Sequence, residues 1–170
     1  MIIIDRAVYD AMIAHMREAA PREGVGLLAG PRDTPARRLR WEMLADRWVP
    51  LRNASDFPGL RYEIDPQEQI EAYEALDADG RWPWIHVHSH VRSSAAPSPL
   101  DIRYAVDPNL LHLIVSLHTV IPEVQPWAVL WRLDPDARPV DQARKIHYQV
   151  VDLGRKEYPA TDLTRRVSGA

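Results

Sequence analysis

The run of apolar positions along this chain predicts helices and strands in alternation. Ile2 to Ile4 read as a short buried strand, and Asp5 directly after them is suited to cap a helix. Val8, Met12 and Met16, with Ala11 and Ala19, recur at helical spacing, so that helix is expected to run to about Ala19. Pro21 closes it. Glu23 to Ala29 read as a strand, with glycines where another chain segment approaches closely. Pro31 to Pro35 read as a turn, and Arg37 to Val49 as a further strand, bulged or broken. Asn53 to Gly59 are rich in turn formers. Asp65-Pro66 opens a second helix, with Pro at its first position and Glu68 at its third, ending near Gly80.

Trp84 to Ser89 read as a strand, followed by a loop of small and polar residues from Val91 to Pro97. Ser98-Pro99-Leu100-Asp101 has the composition of a helix start: Ser as cap, Pro at the first position, Asp at the third. Leu110 to Leu117 and Trp127 to Leu133 are the clearest strands. Pro135 to Pro139 suggest a turn, and Ile146 to Val151 a last strand. The alternation predicts an α/β fold with a mixed sheet flanked by helices. The tryptophans are mostly expected in the core. The expected division is a catalytic domain over residues 1–151 and a polar C-terminal tail over 152–170.

Composition narrows the chemistry. The 170 residues suit a single domain. A formal net charge of −3 gives no basic footprint for nucleic acid. Cysteine is absent, which excludes disulfides, thiolate metal sites and a cysteine nucleophile. Any metal must therefore be held by His, Asp or Glu. The first residues are too short an apolar run for a signal peptide, and no run approaches a membrane span, so the cytoplasm is the expected compartment.

One constellation then stands out: His88-Ser89-His90, Ser98 and Asp101, the pattern H-x-H-x7-S-x2-D. Two imidazoles and a carboxylate are the ligand set of a catalytic zinc site that keeps a fourth position open. Residues two apart on a strand share a face, so His88 and His90 can converge on one ion. Glu23 is the candidate general base for a zinc-activated water, and Ser98 the donor to a tetrahedral oxyanion. Each residue also has a plain structural reading. Asp101 could only cap its helix, and it is not expected to serve fully as both a reciprocal cap and a ligand. His88 and His90 could be satisfied core histidines, and Glu23 a solvated residue at a strand entrance. Local causes do not explain why four residue types fall in one catalytic order. His86 forms a second H-x-H with His88; it is read as a core histidine or an outer partner of the ligands.

The arrangement resembles the JAMM (MPN+) metalloprotease family, whose signature is a glutamate on an early strand followed by H-S/T-H-x7-S-x2-D. The likeness covers roughly residues 1–133, including Pro21 to Gly30 and Tyr62 to Pro66. It implies the MPN/JAMM-like (cytidine-deaminase-like) architecture. It also implies Glu23 as base, His88, His90 and Asp101 as ligands of Zn2+, and Ser98 as oxyanion donor. Val25 stands where the family often has Cys, and Val91 where many members have Pro; neither is a ligand position. By resemblance the substrate is a conjugate of a ubiquitin-like or sulfur-carrier protein whose Gly-Gly tail lies as an added strand at a sheet edge. Nucleic acid and membrane are not expected as partners, and the sequence does not specify an oligomeric state. The competing readings are a phage-tail or cell-wall-type zinc peptidase and a non-catalytic MPN interaction module. A nucleobase deaminase is disfavoured by the missing cysteines.

Overall fold

The computed structural model describes residues 1–32, 43–105, 107, 110–129 and 143–154. Among them the elements run β1 (Ile2–Asp5), α1 (Arg6–Ala19), β2 (Val25–Pro31), β3 (Met43–Ala45), β4 (Arg47–Leu51), α2 (Pro66–Ala78), β5 (Arg81–His90), α3 (Pro99–Tyr104), β6 (Leu111–Ser116), β7 (Glu123–Val129), β8 (Ala143–Lys145) and β9 (Tyr148–Val151). The fold is α/β with a mixed sheet, as the alternation predicts. The large sheet has the order β4-β2-β5-β6-β7-β8, and a small one the order β3-β1-β9. β5 and β6 are parallel, and the other pairs of the large sheet are antiparallel.

Local signals explain the helices. The Asp5 carboxylate accepts from Ala7 N at 2.9 Å and starts α1, which buries Met12, Ile13 and Met16. These pack with Ile2, Ile4, Leu28, Ile85 and Val87. On the other face of the sheet, Ala72 and Leu76 of α2 meet Val25, Leu27 and Ala29 of β2, with Val49 and Leu51 of β4. β2 is thus covered on both faces, which is why its sequence is a continuous apolar run rather than an alternation. At the start of α2, Asp65 accepts from Gln67 N and Glu68 N. Glu68 instead accepts from Arg52 N at 3.0 Å, tying the helix to the loop after β4.

Several boundaries move. Glu23 precedes β2 rather than lying in it, and β5 extends through His90. The strand expected over Arg37 to Val49 is broken at Asp46, and its described pieces join different sheets: β3 pairs with β1, β4 with β2. Asp46 is buried at this break and forms a two-pronged pair with Arg81, at 3.1 and 3.2 Å. β7 begins at Glu123, earlier than the apolar run suggests, because pairing with β6 recruits Gln125 and Pro126. β9 begins at Tyr148. Trp84 and Trp127 are buried, but Trp48 is half-buried and Trp82 exposed, its ring facing the Arg32 guanidinium at 5.1 Å. Residues 33–42, 130–142 and 155–170 lie outside the described residues, and with them the rest of the first turn, the turn over Pro135 to Pro139, Trp41, Trp131 and most of the expected tail.

The two sheets meet where Gly30 of β2 passes β3. A Cβ on Gly30 would collide with the backbone carbonyl oxygen of Leu44. Backbone cannot swing aside as a side chain can, so Gly30→Ala is expected to lower the unfolding free energy by about 3 kcal/mol, the upper end for overpacking. Urea unfolding checks it; a midpoint unchanged from the parent would contradict the close approach.

Strand direction also collects the loops. The C-terminal ends of β4, β5 and β6 and the N-terminal approach to β2 fall at the same end of the large sheet. Glu23, the loop after β4 and the loop leading to Asp101 therefore share that end.

Candidate metal centre

His88 and His90 lie at the end of β5, two residues apart on the same face, and both are buried. Their Nε2 atoms are 3.1 Å apart. Asp101 enters from the first turn of α3. Its Oδ1 lies 3.2 Å from His88 Nε2 and its Oδ2 3.3 Å from His90 Nε2. These are the three residues among the described ones whose donor atoms are grouped as a metal ion requires.

Asp101 also caps its helix. Ser98 N donates to Asp101 Oδ2 at 2.6 Å, and Asp101 N donates to Ser98 Oγ at 3.2 Å, a reciprocal capping box. Asp101 thus completes the reciprocal cap while its Oδ1 faces His88. Its two oxygens divide the work, and Oδ1 carries no cap bond. Ser98 Oγ accepts in this box, and a hydrogen bond from its side chain also helps to hold the Asp101 carboxyl down.

The donor set fits a metal. His90 Nδ1 faces the Ser94 carbonyl at 2.9 Å; a carbonyl only accepts, so the proton sits on Nδ1 and Nε2 of the neutral ring presents a lone pair. His88 Nδ1 is buried with no partner among the described residues. Two imidazole nitrogens and a carboxylate in mutual contact repel unless a proton or a cation lies between them. A tetrahedral ion with ligands at about 2.0–2.1 Å separates them by about 3.3–3.4 Å, close to the observed triangle. The loop after β5 is pinned to keep this shape. Ser116 Oγ donates to Ser93 O at 2.7 Å and Trp127 Nε1 to Ala95 O at 2.8 Å.

Charges follow the geometry. Burial opposes ionisation of Asp101, but its bonds from His88 and His90 outweigh it and hold the carboxyl well below the usual range. Burial also opposes the charge on His90, yet Asp101, Ser94 and Glu23 raise it. Glu23 is buried, and burial pushes its carboxyl up to about 7, with Asp101 adding to the rise and His90 opposing it. A carboxyl that feels both His90 and Asp101 belongs to the same electrostatic site.

His86 is not in the triangle. It is half-buried, its Nε2 lies 3.3 Å from Tyr73 Oη, and its ring meets His112 edge-on at 6.0 Å. Burial pushes His86 and His112 down to about 4, so both stay neutral near pH 7. Two neighbours escaped the sequence argument. Tyr62 stacks on His88, with ring centroids 4.6 Å apart and planes at 29°. Ser89, between the two histidines, accepts from Gly24 N at 2.8 Å and donates its own N–H to Gly24 O at 2.9 Å. Residue type hinted at neither contact; the middle position of the H-S-H run was the available signal for Ser89.

The family pattern described as prokaryotic homologs of the JAB domain matches residues 5–134. The chain belongs to that family. A CysO-cysteine peptidase of Mycobacterium tuberculosis is 31% identical over 118 residues, 68% of this chain and 73% of that protein. A desampylase of Haloferax volcanii is 33% identical over 111 residues, 63% of this chain and 74% of that protein. A probable TtuB-protein conjugate cleaving protease of Thermus thermophilus is 33% identical over 105 residues, 62% of this chain and 64% of that protein. A solution structure of a Desulfitobacterium hafniense protein superposes with a TM-score of 0.74 at 29% identity, covering 89% of this chain and 94% of that one. A JAB1/MPN domain protein from Archaeoglobus fulgidus shares the fold at a TM-score of 0.53 and 16% identity, covering 88% of this chain and 97% of that one. The JAMM resemblance and the fold expected from it hold for this prokaryotic JAB protein.

Proposed function

We propose that this chain is a zinc-dependent isopeptidase or peptidase that hydrolyses the bond after the C-terminal tail of a ubiquitin-like or sulfur-carrier protein. The observation that carries the reading is the His88–His90–Asp101 triangle with the Glu23 carboxyl, raised to about 7, beside it. The names of the relatives, a CysO-cysteine peptidase, a probable TtuB-protein conjugate cleaving protease and a desampylase, support the substrate class. Two nitrogen donors and one oxygen donor, with no thiolate, suit zinc with an open position. When bound, the ion supplies Lewis acidity that polarises a carbonyl and brings the pKa of water toward neutrality.

The chain's own residues do the rest. His88 and His90 present Nε2 lone pairs, and Asp101 presents Oδ1 while Oδ2 stays with the cap. Glu23 takes the proton of the attacking water and passes it to the leaving amine, a task suited to a carboxyl titrating near neutrality. Ser98 turns its hydroxyl proton from Asp101 toward the developing oxyanion. Tyr62 closes one side of His88. The catalytic unit spans residues 1–151, followed by a tail over 152–170, and acts in the cytoplasm. Among the described residues no helix is long and apolar enough to cross a membrane.

The test is a matched pair of fusions of one ubiquitin-like carrier, ending in Gly-Gly or in Ala-Leu before the same leaving group. Cleavage of the Gly-Gly fusion, blocked by chelator, is the expected result, because bulky side chains at these two positions clash in a tail bound as an added strand. Equal cleavage of both fusions would sink the selectivity. Cleavage of neither by zinc-loaded enzyme would favour a phage-type or cell-wall peptidase.

A further inference from the structure

Asn53 lies thirty residues from Glu23, in the loop after β4. Its carboxamide nitrogen points at three carbonyl oxygens: Glu23 at 3.0 Å, Arg61 at 3.1 Å and Pro58 at 3.3 Å. Its carboxamide oxygen accepts from Ser55 N at 3.0 Å and Glu63 N at 3.2 Å. Every polar atom of the side chain is used, with two hydrogens shared among three acceptors. The loop it gathers closes on itself: Ala54 N donates to Glu63 O at 2.8 Å, and Asn53 pairs with Ile64 as an antiparallel bridge. Glu23 N in turn donates to Pro58 O at 2.6 Å. The Glu23 backbone is therefore held at both its N–H and its C=O by this one loop. The same loop carries Tyr62, whose ring lies on His88.

We propose that Asn53 is a positioning residue for the reaction: its carboxamide locks the loop over residues 54–63 to the Glu23 backbone and so sets the base and the Tyr62 wall together against the metal donors. This rests on reading Glu23 as the base. Ser89 holds Gly24 from the neighbouring strand, so Glu23–Gly24 is fixed from two directions, and Asn53 supplies the one that also carries Tyr62. Asn53 acts through other groups; its contacts are to backbone and not to the metal donors.

Two substitutions separate positioning from loop stability. Asn53→Asp keeps the shape and the two accepted bonds but aims a carboxylate at three carbonyl oxygens. Asn53→Ala removes both halves. In the zinc-loaded enzyme, both are expected to keep the metal and to lose about 10²-fold in kcat with little change in KM, the cost of misplacing a reacting group. Hydrogen exchange in the metal-free protein gives a reading that does not depend on turnover. The Glu23 amide should exchange at least about tenfold faster in Asn53→Ala, while the Leu27 amide in mid-strand is unchanged. If the wild type cleaves no carrier fusion, the substrate reading falls, and the exchange data still decide whether Asn53 locks Glu23. An Asp variant as active as the parent, or an Ala variant with a lower Tm but unchanged kcat and unchanged Glu23 exchange, overturns the proposal. Should both fail to fold, Asn53→Ser, which retains one donor, is read by the same two measurements.

Discussion

Asp101→Ala is expected to strip the protein of its metal and to abolish cleavage of the Gly-Gly fusion. The wild type should retain near-stoichiometric zinc after mild dialysis, read by elemental analysis. Among the described residues Asp101 is the one anionic donor grouped at the centre, and without it two imidazoles remain at 3.1 Å. Loss of an outer partner of a metal ligand costs about 10–100-fold in affinity, and loss of a donor costs more. The substitution also deletes half of the α3 capping box, worth about 1 kcal/mol. Asp101→Asn keeps the shape of the cap, so it separates the two effects: stability should recover further than metal affinity. The double variant His88→Ala/His90→Ala should likewise lose the metal. Full zinc occupancy in that variant would remove the basis of the assignment.

Glu23→Gln is expected to keep zinc and to lose about 10²–10⁴-fold in kcat, the share of a general base. The amide matches the carboxylate in size but takes no proton from water. In the wild type, kcat/KM should fall as pH drops and Glu23 becomes protonated; a bound cation pulls this limb below pH 7. Stability moves in the opposite sense. In the metal-free protein the folded carboxyl titrates at about 7 and an unfolded one at 4.5. Between those values the folded state holds the extra proton, so its stabilising effect is complete below pH 4.5 and lost as pH rises through 7. Metal-free Glu23→Gln should therefore be more stable than the parent at pH 8, and the two should converge toward pH 5. A Glu23→Gln enzyme with the parental rate would show that the base lies elsewhere. Matching stability curves across that range would show that the carboxyl is hydrated.

Much of the site was legible in the sequence because its information is local. Strand alternation brings His88 and His90 to one face, and the Ser-Pro-x-Asp start of α3 brings Asp101 to a first turn; both depend on spacing alone. Asp5 and Asp65 marked their helices for the same reason. The same logic faltered wherever pairing decides. The break at Asp46 follows from a buried pair with Arg81, and the early start of β7 from its neighbour β6. At Asp101 the spacing showed a cap and a donor but not the directions of the two carboxylate oxygens, which only the fold sets. Glu23 could be nominated from its place in the motif, but its raised carboxyl depends on burial among groups from β5 and α3. Gly24 and Ser89 are 65 residues apart, and Asn53 and Glu23 thirty. Such contacts have no period and no spacing. They arise because β2 runs antiparallel to both β4 and β5, which brings three strand ends together at one end of the sheet. The sequence by itself determined which atoms could hold a metal; only the tertiary structure decided which backbone carries the base to them, since that depends on strand order and direction rather than on neighbouring residues.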